Sequence, residues 1–530
     1  MKLFYILFIA TLFVGCKKEN SAVKKVEKVI EAITPTNSTT LKKVSLDSVH
    51  LSETKNDSII AFYKLEKNET VWNEKENRDA LIKEIKNSGK EGMNPNDYPL
   101  TKIQSYENKI KSLSDDDIIQ YDILLTTSYY KFINELANGK LNSKKLYNDW
   151  DLKTNKVNIN KPLVTALKEN EIEKMIEDNK PHHIVYLKLK DALAAIDQYP
   201  KDSPPTIQLK EKKIVLNDTN QSVINIKKKL MYWKDLKAKD SLTTVYDEDT
   251  QKAVKKFQKR HGLQADGVIG AGTVAALNIS KAKRKEQIIA NLERWKWYPK
   301  NMGKSYLIIN IPDYMLSVVK DNDTVKTHRV IVGKEKRRTP ILSSKLNYIV
   351  YNPTWTVPPT ILKEDVIPAT SRNFGYLDSK NITVYDKNNN VVDERNWKSQ
   401  DAKAYRYVQS PGDYNSLGRM KIIFPNPYLV YLHDTNNRSL FNNSFRALSS
   451  GCIRVENPMD LSEYLLDDSK NWTKDKINET LATKKTKNVN IKDNIYIHQL
   501  YWTAWMDGNE LQFRDDIYKF DAGLYQKLRN

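Results

Sequence analysis

The stretch Tyr428-Leu429-Val430-Tyr431-Leu432-His433-Asp434-Thr435, followed nineteen positions after its histidine by Cys452 within Ser449-Ser450-Gly451-Cys452-Ile453-Arg454, decides how the C-terminal part of the chain is read. Leu429-Val430-Tyr431-Leu432 reads as an apolar strand that delivers His433 at its end. A thiol attacks as the thiolate, so Cys452 needs a base or a cation beside it. Histidine is the usual base because it titrates near neutrality. Gly451 lets the backbone come close to a tetrahedral oxyanion, to which amides around Cys452 can donate. Arg454 offers a fixed positive charge for a substrate carboxylate or for holding the loop. Alone, such a pair proves nothing, because a lone cysteine is more often a small core residue.

Outward from this stretch the period is that of strands. Tyr306-Leu307-Ile308-Ile309-Asn310-Ile311, Leu316-Ser317-Val318-Val319 and Arg329-Val330-Ile331-Val332-Gly333 are β-branched runs broken by Pro312, Asp321-Asn322 and Gly333. They predict a β-rich sheet or sandwich over 305–485. Between Asn352 and about Arg419 lies a turn-rich insertion that opens Asn352-Pro353-Thr354-Trp355 and closes at Ser416-Leu417-Gly418. It is read as a mobile lid over the cysteine; Trp355 and Tyr376 serve equally as its small core. The tail, 486–530, reads as structure packed on the sheet.

Upstream the period becomes helical. Over 57–204, Ile59, Phe62, Tyr63, Leu81 and Ile85 recur at helical spacing, a helix is predicted from Asp115 to Leu136 closed by Gly139, and Tyr186, Leu189, Leu193 and Ile196 mark another. Nothing there carries chemistry by itself. Ser203-Pro204-Pro205 reads as a linker. In 217–280, Val223, Ile226, Leu230 and Trp233 form one stripe, and Ala253, Val254 and Phe257 a second behind an acidic cap at Asp247 or Asp249. His261-Gly262-Leu263 through Asp266-Gly267-Val268-Ile269-Gly270 and Thr273 to Leu277 follow. This ordered set closely resembles the peptidoglycan-binding module of wall hydrolases, a three-helix bundle. Asp266-Gly267 is a turn, and Gly270 is expected to let the next helix pack closely. Lys281 to Lys300 is read as a short connector whose Asn291-Leu292-Glu293-Arg294-Trp295 sits on a helix.

Met1 to Cys16 reads MKLFYILFIATLFVGC, a lysine and then an apolar run shorter than the roughly 20 residues that span a bilayer. Val14-Gly15-Cys16 resembles the lipobox of bacterial lipoproteins, which implies a signal peptide over 1–15 and lipid on Cys16. Residues 16–56 are polar and include Thr34-Pro35-Thr36-Asn37-Ser38, so a disordered tether is expected. The net charge of +20 comes from scattered lysines among 530 residues, and no nucleic-acid motif accompanies it. No cysteine–histidine cluster has metal-ligand spacing, and His182-His183 stands alone. No metal, cofactor or nucleic-acid partner is expected.

With these contexts together, the region around Cys452 closely resembles the L,D-transpeptidase (YkuD-type) catalytic domain. Its signature is HGT or HDT, a spacer, then S-H/S-G-C-I/V-R, and Ser450 stands here where many relatives carry a second histidine. From Ile59 to the C-terminus the chain resembles the large, multidomain, envelope-anchored subgroup, in which an insertion caps the substrate. The resemblance implies a multidomain α+β protein: helical scaffold, peptidoglycan-binding bundle, and β-rich catalytic domain with a capping insertion. It also implies that Cys452, as a thiolate paired with His433, forms a thioester with a donor stem peptide, releases D-alanine and yields a 3→3 cross-link to an acceptor stem. By the same resemblance, the backbone carbonyl of Asp434 orients His433, and carbapenems acylate Cys452. Gly451, Ser450 and Tyr431 are further candidates for shaping the site, and Arg454 and Trp355 for binding substrate. A membrane-anchored lipoprotein facing the periplasm, with cell-wall synthesis proteins as candidate partners, completes the expectation. Water as acceptor would make it an L,D-carboxypeptidase and a protein lysine a tethering enzyme; a wall-binding lipoprotein without catalysis is the remaining alternative.

Overall fold

The computed structural model describes residues 39–201, 203–468 and 470–530. The leader at 1–15, Cys16 and the tether as far as 38 lie outside them. From 39 to 56 the chain is not a tether. Leu41, Leu46 and Leu51 are buried in the helical unit, Asp47 caps the helix Ser48–Glu53, and Ser45 bridges Glu69 in a short β contact. Three spaced leucines in a polar background are enough to dock a segment whose composition alone reads as disordered.

The scaffold is built on the helix Asp115–Asn138, started by a Ser114–Asp117 capping box and ended by Gly139 at positive φ. Its apolar core runs from Leu41 to Ile176. The helix Ile184–Asp197, which the hydrophobic period groups with this unit, instead buries Tyr186, Leu189, Leu193 and Ile196 in the core shared by the bundle and the C-terminal sheet.

In the bundle, Asp247 caps the helix Glu248–Arg260, its carboxylate accepting from the Thr250 amide at 2.8 Å. Gly267 turns at positive φ, but a Cβ on Gly270 would meet nothing within 4 Å. The close helix packing expected of Gly270 is therefore absent; the residue pairs with Lys213 in a short strand and caps Ala271–Asn278.

The presumed connector is the spine of the molecule. In the helix Lys281–Trp297 the polar Asn291 and Arg294 are as buried as Leu292, each at 0% exposure. The C-terminal tail partners them: Asn291 donates to the Thr503 hydroxyl at 2.8 Å, and Arg294 pairs with Asp521 at 2.5 Å. A helix buried all round by polar pairing has no stripe to betray it.

Among the described residues twelve strands form the sheet of the C-terminal domain, one edge of which, Trp150–Asp151, comes from the helical part of the chain and runs parallel to Ile341–Lys345. The tail does more than pack on it. The strand Tyr496–Leu500 runs inside the sheet, parallel to Ser305–Asn310 and antiparallel to Ile341–Lys345, and Lys487–Asn490 forms an edge. The long strand Asp323–Gly333 pairs with Met315–Lys320 along its first part and with Ile453–Val455 near its end, joining the two halves of the sheet. The insertion is a folded unit in which Trp355–Thr356, Ile382–Tyr385 and Arg406–Gln409 form a small sheet. Val357, Val366, Leu377, Val384 and Tyr407 make its separate core, against which Trp355 and Tyr376 pack half-buried. At its base the Asn352 amide donates to the Arg419 carbonyl at 2.8 Å.

Candidate active site

The strand expected at Leu429–Leu432 is shorter and later, at Leu432–His433. Asn426 explains the delay. Its side-chain oxygen accepts from the Tyr428 and Val430 amides at 3.1 Å, and its amide group donates to the Val430 carbonyl at 2.8 Å. This turn leaves Leu429 at positive φ and 82% exposed.

Register then assembles the site. Lys421 on the strand Met420–Ile423 lies opposite His433, and His433 lies opposite Arg454 on Ile453–Val455. The next row is Ile422, Leu432 and Ile453, all buried in the core. Because side chains alternate, the core row turns Lys421, His433 and Arg454 to the other face. Burying each large aliphatic of the core row favours this register by about 1.5–3 kcal/mol. Tyr431 and Cys452, two residues before His433 and Arg454, continue the same face. The Tyr431 ring lies 5.7 Å from that of His433, and the Lys421 ammonium lies 5.3 Å from the Tyr431 ring centre. The Tyr431 hydroxyl makes polar contact with both Cys452 and Trp355, so the cap meets the thiol through it.

His433 is buried, and its Nδ1–H donates to the Asp434 carbonyl, which leaves Nε2 as the basic nitrogen of the neutral ring. Burial first, then the cations Arg454 and Lys421, push the imidazole down to about 3. Burial pushes the Cys452 thiol up, while polar contacts from Tyr431 and the charges of Arg454 and Lys421 pull it down. Burial thus favours the uncharged form of both the thiol and the imidazole. Two neighbouring cations oppose a third positive charge.

The loop before the cysteine is braced from within. Ser449 Oγ donates to the Cys452 carbonyl at 2.6 Å and accepts from the Gly451 amide at 3.1 Å. Thr339 Oγ1 donates to the Gly451 carbonyl at 2.8 Å, and Tyr518 from the tail accepts from the Thr339 amide at 3.0 Å. The Gly451 amide is therefore engaged, whereas among the described residues the Cys452 amide has no hydrogen-bond acceptor. The latter is left free to donate. Ser450 is exposed and turns away from the pair, its Oγ accepting from Arg337 Nη1 at 2.9 Å.

Asp434 couples the histidine to the cap. Its buried carboxylate accepts from the Arg419 amide at 2.9 Å and from Arg438 at 2.7 Å. Gly418, at positive φ, lies so close that a Cβ there would stand 2.4 Å from this carboxyl group. Gly418→Ala is expected to push Asp434 and with it the His433 ring out of place, lowering kcat by about 10²-fold; steady-state turnover of the purified variant checks this.

Arg337 joins the cap to the cysteine loop. The same guanidinium that holds Ser450 pairs with Glu364 at 2.9 Å and Asp365 at 2.6 Å, both on the π-helical turn Leu362–Val366. Arg337→Ala is expected to speed amide exchange across Leu362–Arg372 about five- to tenfold, leaving the helical scaffold unchanged, as hydrogen–deuterium exchange would read. Between cap and sheet a cleft of about 470 Å³ is lined by Trp355, Tyr376, Gln409, Tyr414, Asn436 and Arg454. Arg454 keeps a buried Nε with no partner among the described residues.

Sequence reading overlooked Lys421, Arg337 and Ser449. The signal for Lys421 was present, a lysine alternating with the apolar Met420 and Ile422. Arg337 carried none, since its partners lie across the fold. Among the described residues no cluster of histidine, cysteine, aspartate and glutamate could hold a metal ion, and no helix is long and apolar enough to cross a membrane.

Comparison with known proteins agrees with this architecture. Residues 304–478 match the L,D-transpeptidase catalytic domain (YkuD), residues 219–277 a peptidoglycan-binding domain and residues 57–193 a scaffold domain. A curated relative from Haemophilus influenzae, described as an L,D-transpeptidase, is 40% identical over 221 residues, or 41% of this chain. The match spans 45% of that relative's length. Two solved L,D-transpeptidases, from Xylanimonas cellulosilytica and Stackebrandtia nassauensis, align with 15% and 13% identity. They cover 55% and 56% of this chain and 100% and 97% of their own, with TM-scores of 0.19 and 0.21, too low to bear on the site.

Proposed function

We propose, from the premise that this chain carries an L,D-transpeptidase catalytic domain and a peptidoglycan-binding domain, that it cross-links peptidoglycan stem peptides through a thioester on Cys452. The observation that carries this reading is the single sheet face that gathers Cys452, His433, Tyr431, Arg454 and Lys421, of which Arg454 lines the cleft beneath the cap.

The reaction runs in two acyl transfers. A donor tetrapeptide lies in the cleft, with Arg454 available to a carboxylate and Trp355 to an apolar stem. As Cys452 Sγ attacks the carbonyl of the third residue, its proton passes to His433 Nε2. The Cys452 amide donates to the developing oxyanion. An imidazole held far below neutrality keeps a proton poorly, so it hands the proton to the departing D-alanine amine. The thioester retains the energy of the broken amide, and no nucleotide is consumed. The side-chain amine of a second stem's diamino acid then attacks, His433 takes its proton, the thiolate departs and a 3→3 amide forms. Lipid on Cys16 would hold the protein at the membrane of the cell envelope, and the bundle would keep the sheet near its polymer.

Brief exposure of the protein to a tetrapeptide donor without acceptor tests the covalent step. Mass spectrometry is expected to find a tripeptide acyl group on the Cys452 peptide, removable by hydroxylamine. Donor turnover with no adduct on Cys452 at any quench time, and none on trapping, would count against a thioester.

A further inference from the structure

Lys421 is a half-buried lysine on the reactive face, directly across the ladder from His433. Lysines in such places are normally paired with a carboxylate, because an ammonium taken from water is costly to leave alone. Among the described residues the Lys421 ammonium has no ion pair and no hydrogen bond. Its recorded contact is the Tyr431 ring, 5.3 Å away, and that tyrosine's hydroxyl reaches Cys452. The other charged or titratable groups facing the thiol are Tyr431, His433 and Arg454. The Asp434 carboxylate beside His433 takes both Arg438 and the Arg419 amide on one oxygen. A half-buried cation without a carboxylate can answer an anion formed beside it, and the anion the chemistry creates on this face is on Cys452 Sγ.

We infer that Lys421 is a positioning residue whose ammonium, with Arg454, balances the negative charge that builds on Cys452 Sγ as its proton passes to His433, so that His433 is not held as the counter-charge and hands that proton on to the leaving amine. This rests on Cys452 being the nucleophile. It assigns the counter-charge to fixed cations where an imidazolium would otherwise serve. Two consequences follow physically. The thiolate gains stability from a charge that does not titrate away near neutrality, and His433 is ready as a base toward the incoming amine without first losing a proton.

The test is the pH dependence of Cys452 alkylation by iodoacetamide, read by mass spectrometry of its peptide in the full chain, for wild type, Lys421→Met and Lys421→Arg. Methionine keeps the stem without the charge, and near-UV circular dichroism checks that each variant is folded. The methionine variant should alkylate about tenfold more slowly at pH 7, with the curve displaced about one pH unit upward. Its D-alanine release should recover at pH 9, and arginine should restore both readouts at pH 7. A folded methionine variant with the wild-type alkylation curve would overturn the inference while leaving Cys452 as nucleophile. Wild-type Cys452 that resists alkylation at every pH would overturn both.

Discussion

Cys452→Ala is expected to lower D-alanine release from a tetrapeptide donor by at least about 10⁴-fold, because no other group on the reactive face can carry the acyl chain. Lys421 and Arg454 are cations, Tyr431 is held protonated by burial, and the imidazole of His433 is bound to the Asp434 carbonyl. The loss is chemical, not structural. Cys452 is half-buried, and its loop is tied down by Ser449 and Thr339 through backbone groups the substitution leaves in place. Stability should change by no more than about 1 kcal/mol. His433→Ala should fall by a similar factor, and the double variant should be no worse than either single one, since nucleophile and base act as a unit. Initial rates beside chemical denaturation curves check all three.

Arg294→Met is expected to cost about 3–5 kcal/mol of stability, far from the chemistry. The guanidinium is buried where the spine helix meets the tail, paired with Asp521, donating to Asn291 at 2.9 Å and lying 5.3 Å over the Tyr501 ring. Burial, and then neighbouring Asp516, already lift Asp521 to about 6, and Arg294 is the principal group pulling it down. Without the arginine the carboxyl rises further. An acid whose folded value exceeds its unfolded value costs nothing when both states are protonated, and its penalty grows as pH rises through that interval. Against wild type, the deficit should therefore be smallest below about pH 6, where Asp521 is protonated in both folded proteins, and full once the pH exceeds the raised value. Adding Asp521→Asn should recover a part of it, because the charge left unpaired is removed. Urea denaturation at several pH values measures both effects.

Much of this was legible in the sequence because it depended on local period and spacing. The helix from Asp115, a cap at Asp247 or Asp249 and the insertion beginning at Asn352 each announce themselves within a few residues. What escaped depends on partners distant in the chain. Arg294 and Asn291 look like the exposed side of a connector until Asp521 and Thr503 are brought against them. The strand Tyr496–Leu500 looks like an appendage until it is seated between Ser305–Asn310 and Ile341–Lys345. Burial, and then Arg454 and Lys421 flanking it in the sheet, hold the His433 imidazole well down, which spacing does not reveal. Thr339 and Tyr518 brace the cysteine loop from two distant segments, and neither lies in a motif.

The measurement that bears most directly on the central claim is mass spectrometry of purified tetrapeptide muropeptides after incubation with the protein and with Cys452→Ala. Cross-linked dimers that have lost one D-alanine, absent with the alanine variant, are the predicted result. Tripeptide monomers without dimers would contradict cross-linking and make the acceptor water, and an unchanged muropeptide profile with folded protein would contradict catalysis on Cys452 altogether.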